Sequence, residues 1–209
     1  MRNLKHITAL KAQKNQQRVN VYLDGEFVFG LDLDDIYKHR LKIGLQLTHE
    51  QIDQILKDSE YHSVLEKVIR FISLRPRSEK ELSTWLNKHQ VGTLLGDRVS
   101  QRLRELDLLN DQKFVDWWIA SRSTYKPRGS KLLYQELLQK GIDRQLIDQA
   151  LSQLPNQKPS ISVLVRKKLP SLVKCPIQIQ KTKLYNFLLR KGYSYSDIKP
   201  VIDELIKPN

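Results

Sequence analysis

The sequence contains little cysteine, glycine and proline, and each shortage excludes a class of protein. Cys175 is the single cysteine, so the chain cannot form an internal disulfide, which suits a reducing compartment. Only eight glycines and eight prolines occur in 209 residues, which argues against a disordered chain or a β-sandwich. Because 40% of the residues are hydrophobic and 28% are charged, the composition predicts a soluble, mainly helical protein with a packed core.

Long apolar segments are missing as well. No stretch approaches the roughly 18 apolar residues that a membrane span requires. The N-terminal segment Met1–His6 is not followed by the apolar region of a signal peptide. The sequence therefore predicts a cytoplasmic protein that does not act at a membrane.

Catalytic and metal-binding patterns are also lacking. The five histidines, at positions 6, 39, 49, 62 and 89, show no metal-ligand spacing, and one cysteine cannot build a zinc site. No glycine-rich loop ends in the Gly-Lys-Ser/Thr of a nucleotide-binding P-loop. We therefore expect no catalytic residue, no metal and no cofactor. A hydrolase or nuclease stays open as an alternative, although no residue pattern supports it.

Positive charge is abundant and unevenly distributed. The net charge is +13, with zero in residues 1–60, +2 in residues 61–119 and +12 in residues 120–199. A basic excess of this size indicates an acidic partner, which could be nucleic acid, an anionic membrane or an acidic protein surface. Its confinement to one region favours a binding function there over a generally solvated basic surface.

The first sixty residues predict a small antiparallel sheet followed by short helices. Alternating apolar and polar residues predict strands, and Asp24-Gly25 is typical of a two-residue hairpin turn with positive φ at both positions. The predicted elements are strands at 7–10, 18–23 and 26–31, a turn at 15–17, and a helix at 34–41. Thr48 and Gln51 have the spacing of a capping box at the start of a second helix. This region predicts an adaptor or cap.

A unit that recurs every 51 residues fills the rest of the chain. Residues 133–142 match residues 184–193 at this offset without a gap. In the first copy Leu82 and Leu86 keep the offset of 51, whereas Val99 and Leu103 need an offset of 48. The first copy therefore carries three extra residues, which we expect in a loop near Gly92–Asp97 because loops tolerate insertions.

Each copy predicts three helices, of which the last two resemble a helix-turn-helix. In the first copy they are expected at 62–74, from Ser78 onward, and at 97–106. The predicted domains are 1–60 (hairpin and helix extension), 61–110, 111–155 and 160–209 (three repeats). The fold class is thus mainly α, with three tandem three-helix repeats in an elongated, curved array behind a β-hairpin extension.

Glycines and aromatic residues mark the repeats. Gly141 and Gly192 each follow a lysine, where the left-handed conformation after a helix is expected. Phe114, Trp117 and Trp118 occur at helical spacing, which favours core packing. The alternative for these three side chains is a platform on which bases stack.

The order and spacing of several short motifs resemble the RecX family of bacterial regulatory proteins. The motifs cover nearly the whole chain and lie at 75–82, 106–114, 126–130, 136–142 and 183–198. The N-terminal hairpin is similar to the extension of the longer family members. One departure is His89–Gly92, which stands where the first repeat of the family has a Lys-Gly turn.

This resemblance implies a negative regulator of the RecA recombinase in DNA repair, recombination and the SOS response. It implies binding along the RecA filament on single-stranded DNA, where the protein restrains ATP hydrolysis and strand exchange. It further implies weak, non-specific binding to single- and double-stranded DNA, and we expect a monomer. The alternative is a DNA-binding module of helix-turn-helix type that acts alone.

Basic residues of the second and third repeats are the candidate contacts to the partner or to DNA, because arginine and lysine bind phosphate and carboxylate groups. The candidates are Lys126, Arg128, Lys131, Lys140, Arg144, Arg166, Lys167, Lys168, Lys183, Arg190 and Lys191. The five that lie beside matched repeat positions rank highest: Lys126, Arg128, Lys131, Lys183 and Arg190. We expect them on the concave side of the array.

Overall fold

The computed structural model describes residues 4–14, 17–154 and 156–206, apart from the side chains of 124 and 125. The chain divides into two compact units. The first comprises Met1–Ser73 with Thr93–Val99, and the second comprises Leu74–Gly92 with Ser100–Asn209. The turn predicted at 15–17 falls largely outside the described residues.

The first unit contains a four-stranded antiparallel sheet. Its strands are β1 (Lys5–Ala12), β2 (Arg18–Leu23), β3 (Glu26–Asp32) and β4 (Gln46–Leu47), in the order β3-β2-β1-β4. Alternate residues of β2 are buried, as the apolar pattern predicts. Leu23 pairs with Glu26 across the turn at Asp24 (φ 50°) and Gly25 (φ 91°), so the predicted hairpin is confirmed. The two-residue strand β4 is too short to leave a sequence pattern.

Two helices follow in the first unit, α1 (Leu33–Lys38) and α2 (His49–Ser73). The capping box is confirmed, because Gln51 N donates to Thr48 Oγ1 (3.2 Å) and Thr48 N donates to Gln51 Oε1 (2.9 Å). The sequence predicted one helix that starts after Thr48 and another at 62–74, but the structure has the single helix α2 over both, so this prediction is wrong. No glycine or proline interrupts residues 49–73, so α2 continues through the predicted boundary between 60 and 61.

Eight more helices follow along the described part of the chain. They are α3 (Glu79–Lys88), α4 (Thr93–Glu105), α5 (Asp111–Tyr125), α6 (Ser130–Gln139), α7 (Arg144–Ser152), α8 (Lys158–Lys168), α9 (Ile177–Arg190) and α10 (Tyr195–Leu205). A 3-10 turn, Leu169–Leu172, follows α8. The helices form the triplets α2–α4, α5–α7 and α8–α10, which confirms a mainly helical fold with tandem three-helix repeats.

The three extra residues of the first repeat are helical, which corrects the expected loop insertion. Gly92 is extended and precedes α4, which begins at Thr93 and gains almost one turn over α7 at its N-terminus. Within the first unit, the Arg98 guanidinium lies 4.0 Å from the centre of the Tyr61 ring and 3.7 Å from an Asp58 oxygen. The start of α4 therefore belongs to the first unit, although Leu94 in the added turn is 90% exposed.

The cores of the second and third repeats use the same positions 51 residues apart. Leu137 and Ile147 in one repeat, and Leu188 and Ile198 in the other, are fully buried. Phe114 and Trp118 are also buried in the second core, and Trp117 packs against it. The core interpretation of these aromatic residues is confirmed, so none of the buried rings offers a free face for stacking.

Candidate nucleic-acid interface

Within the second unit, the start of α3 packs against the end of α6. Ser78 caps α3 by accepting from Glu81 N (3.2 Å), and its hydroxyl donates to the backbone oxygen of Lys140 (2.7 Å). A Cβ atom on Gly141 would lie 2.6 Å from Lys80 Cβ. We call this contact between the first and second repeats the first junction.

The same contact recurs 51 residues later, where the start of α6 packs against the end of α9. Gly129 N donates to Lys191 O (2.9 Å), and Lys131 N donates to Gly192 O (3.2 Å). A Cβ atom on Gly192 would lie 2.4 Å from Leu132 Cβ. This is the second junction, and it joins the second and third repeats.

The two glycines satisfy two requirements at once. Gly141 (φ 81°) and Gly192 (φ 89°) have the predicted left-handed conformation, and the neighbouring repeat leaves no room for a side chain. The corresponding position of the first repeat is Gln90 (φ 56°), whose side chain is exposed. Gln90 therefore keeps the left-handed turn without a glycine, because no neighbouring repeat in the described part of the chain packs against its exposed side chain.

Carboxylates neutralise the first junction. Glu81 accepts two hydrogen bonds from Arg75 (2.8 and 2.9 Å) and one from Lys140 (2.6 Å). Burial raises the pKa of Glu81, but the hydrogen bonds from the two cations outweigh it and lower the pKa to about 2. Glu79 also accepts two hydrogen bonds from Arg104.

The second junction keeps the cations and loses these carboxylates. At an offset of 51, Lys126, Arg128, Lys131 and Lys191 replace Arg75, Arg77, Lys80 and Lys140, whereas Ser130 and Leu132 replace Glu79 and Glu81. The backbone bonds between 129–131 and 191–192 hold these residues in neighbouring segments. We define the second-junction cluster as Lys126, Arg128, Lys131, Arg190 and Lys191.

The other candidate cations lie outside this cluster. Lys140 belongs to the first junction, Arg144 begins α7, and Lys183 lies within α9 with its Nζ 3.5 Å from Cys175 Sγ. Arg166, Lys167 and Lys168 form the last turn of α8, where positive charge also stabilises the helix dipole. The structure thus brings five of the eleven candidates to one junction and distributes the other six.

Both the sequence and the fold are similar to those of known proteins. A sequence profile described as the Regulatory protein RecX N-terminal domain matches residues 5–48. Profiles of the second and third three-helix domains of RecX match residues 110–151 and 161–202. Regulatory protein RecX of Oceanobacillus iheyensis is 32% identical over 212 residues, which cover 98% of this chain and 77% of that protein. The chain belongs to the RecX family.

Other RecX proteins agree in sequence and fold. Regulatory protein RecX of Clostridium botulinum is 32% identical over 205 residues, which cover 96% of each chain. A crystal structure of regulatory protein RecX has a TM-score of 0.72 at 24% identity and covers 95% of this chain and 99% of that one. The crystal structure of RecX from Lactobacillus salivarius has a TM-score of 0.63 at 23% identity, over 69% of this chain and 96% of that one. These two likenesses concern the fold.

In this RecX chain Glu136 contacts Arg128 of the second-junction cluster, which was not predicted from the sequence. Its carboxylate accepts hydrogen bonds from Trp118 Nε1 (3.0 Å) and Arg122 Nε (2.8 Å), and Arg128 Nε lies 3.4 Å away. Glu136 is the only acidic residue between 117 and 142, and this isolation was the available signal. One carboxylate therefore faces two arginines, which leaves positive charge at Arg128 unbalanced.

Among the described residues, no helix combines the length and the apolar character needed to cross a membrane. The same residues contain no group of three or more histidines, cysteines or acids placed to hold a metal ion.

Proposed function

We propose that this RecX family member is a negative regulator of the RecA recombinase in the cytoplasm. It binds along the RecA filament on single-stranded DNA and slows ATP hydrolysis and strand exchange during DNA repair and recombination. The observation that supports this proposal most is the second-junction cluster, where a chain of the RecX family gathers cations without the carboxylates of the first junction. A filament that contains DNA offers phosphates to such a surface.

The proposed action is binding without covalent chemistry. Lysine supplies point charges and arginine can fork onto a phosphate or carboxylate, so the cluster can contact the polyanion at several places. Such contacts form and break without a cofactor, and their strength depends on salt. A monomer that spans neighbouring filament subunits restrains the movements that accompany ATP turnover.

The rate of ATP hydrolysis by RecA on single-stranded DNA tests the proposal. Substoichiometric amounts of the protein should lower the steady-state rate, because one bound molecule restrains several subunits. RecA alone and RecA with an unrelated protein of equal net charge serve as controls. An unchanged rate at equimolar protein would refute the proposal.

A stand-alone DNA-binding module is the second candidate, and the net charge of +12 over residues 120–199 favours it. Binding of a fluorescent oligo(dT) without RecA, followed by anisotropy, measures this activity. If the five cluster residues each release one counterion, log K should fall with log salt with a slope of about −3.5. Salt-insensitive binding would exclude the cluster as a phosphate-binding surface.

A further inference from the structure

A small cavity lies beside the second junction, between the end of α5 and the start of α8. Polar side chains around it include Arg128, Tyr193, Gln157, Ser123, Ser160 and Asn156. Its volume of about 50 Å³ exceeds the roughly 10–15 Å³ that one water needs by this measure. It therefore has room for a group larger than one water, such as a tetrahedral oxyanion.

Three buried polar atoms of this cavity have no hydrogen-bond partner among the described residues. They are Tyr193 Oη, Arg128 Nε and Gln157 Oε1. Arg128 Nε is within ion-pair distance of Glu136, but the two are not aligned as a hydrogen bond. Buried polar groups are nearly always paired, so three unpaired ones on one cavity indicate a missing ligand.

The hydroxyl of Tyr193 is not explained by packing. Tyr193 is 2% exposed, and the equivalent residue of the second repeat is Ile142, which is equally buried. An apolar side chain therefore suffices at this position of the repeat. Burial raises the pKa of Tyr193 to about 12, against a smaller lowering by Arg128, so the hydroxyl stays protonated and can donate.

The remaining groups favour an anion. Gln157 Nε2 contacts Ser130 Oγ at 3.2 Å, and a 180° rotation of the amide would turn a donor into the cavity while the serine hydroxyl donates to the oxygen. The Oδ1 of Asn156 accepts from Lys158 N, which leaves its amide group available as a donor. The first turn of α8 contains no acid and begins at the cavity, so its partial positive charge attracts an anion.

We propose that Arg128, Tyr193 and Gln157 form a phosphate-binding site at the second junction. Arg128 supplies the charge, since Glu136 is already held by Arg122 and Trp118. Tyr193 and Gln157 supply neutral donors from the buried side. The phosphate can come from a nucleic-acid backbone or from free phosphate. The first source rests on the proposed function, whereas the second does not.

Tyr193→Phe tests this site, because it removes one hydroxyl and keeps the ring that fills the core. Tyr134→Phe is the matched control, a half-buried tyrosine of the second repeat that does not line the cavity. Thermal unfolding of the full chain is measured in sodium phosphate and in sodium chloride of equal ionic strength. Binding of oligo(dT) is measured by anisotropy without RecA, so the result does not depend on filament regulation.

Phosphate should raise the melting temperature of the wild type and of Tyr134→Phe, but not that of Tyr193→Phe. Without phosphate, Tyr193→Phe should be at least as stable as the wild type, because no hydrogen bond is lost. A backbone phosphate as ligand also predicts about tenfold weaker oligo(dT) binding by Tyr193→Phe, whereas unchanged oligo(dT) binding assigns the site to free phosphate. If neither phosphate stabilisation nor DNA affinity differs between Tyr193→Phe and the wild type, the site is refuted and the cavity holds only water.

Discussion

At the scale of single residues, the two junctions differ in a few side chains that decide their charge. Glu81 binds Arg75 and Lys140 in the first junction, and Leu132 occupies its place in the second. The glycines at 141 and 192 are alike in both. Hydrogen bonds to backbone oxygens, together with the glycines, thus give both junctions a similar geometry. The acid that neutralises the cations, Glu81, is present only in the first junction.

The depressed pKa of Glu81 makes the first junction sensitive to acid. A folded-state pKa of about 2, against an ordinary 4.5, gives stabilisation that is present above pH 4.5 and is lost as the pH falls toward 2. This stabilisation is on the order of 3 kcal/mol. Glu81→Gln should therefore be less stable than the wild type at pH 7, by about 2–3 kcal/mol, and the difference should shrink toward pH 2.

Urea unfolding at pH 7, 4 and 2 measures this difference. Glu204→Gln is the control, since Glu204 is exposed and forms no ion pair among the described residues. A gap between Glu81→Gln and the wild type that stays constant with pH would contradict the assignment of the ion pairs to stability.

Glycine substitutions test the close approach at the second junction. Gly192→Ala should cost more than about 3 kcal/mol, because the new Cβ meets Leu132 backbone as well as side chain. Gly25→Ala has the same left-handed backbone with nothing within 4 Å of the new Cβ and should cost only about 1 kcal/mol.

The left-handed backbone of the first repeat gives a third variant. Gln90→Gly should stabilise the protein by about 1 kcal/mol, because glycine adopts a positive φ without strain. Urea unfolding ranks the three, and equal costs at 192 and 25 would show that the junction is looser than described.

At the scale of helices and strands, the sequence predicted structure within one segment but did not predict contacts between distant segments. Alternation and Asp24-Gly25 predicted the hairpin, and the 51-residue period predicted the buried positions of both later repeats. The junctions pair residues that are 59 to 62 positions apart, so no local sequence pattern predicts them. Tyr193 matches Ile142 in the repeat, so the sequence does not indicate that the tyrosine hydroxyl lines a cavity.

The length of helix α2 was predicted wrongly from local sequence patterns. The capping box at Thr48 and the repeat helix expected at 62–74 suggested two helices, yet a helix continues where nothing interrupts its hydrogen bonds. The insertion at 93–95 was likewise expected in a loop, although threonine and leucine can enter a helix. In α2 no glycine or proline interrupts the helix, whereas α4 continues through Gly96.

A proline in the middle of α2 tests its continuity. Glu60→Pro should destabilise the protein by about 3 kcal/mol or more, because proline removes a hydrogen bond inside the helix. Glu60→Ala at the same exposed position should be close to neutral. Urea unfolding compares the two variants. A proline that is tolerated as well as alanine would restore the predicted boundary between 60 and 61.

At the scale of the whole molecule, charge and architecture coincide in the second unit. The region of net charge +12 spans the second and third repeats, and the second-junction cluster concentrates part of it. The charge of this region is evident from the sequence, whereas the structure was needed to find which of its cations share one junction. Reversing Arg128 is a poor test, because a new carboxylate there would face Glu136 and disturb the fold.

The central claim is that the second-junction cluster binds the RecA–DNA filament, and inhibition of RecA ATP hydrolysis by a charge-reversal variant tests it most directly. Lys126→Glu, Lys131→Glu and Arg190→Glu together reverse three exposed members that form no ion pair among the described residues. Lys42→Glu, Lys57→Glu and Lys67→Glu change the net charge equally at exposed positions of the first unit. The cluster variant should lose most of the inhibition while the control keeps it. Equal inhibition by both variants would contradict the claim.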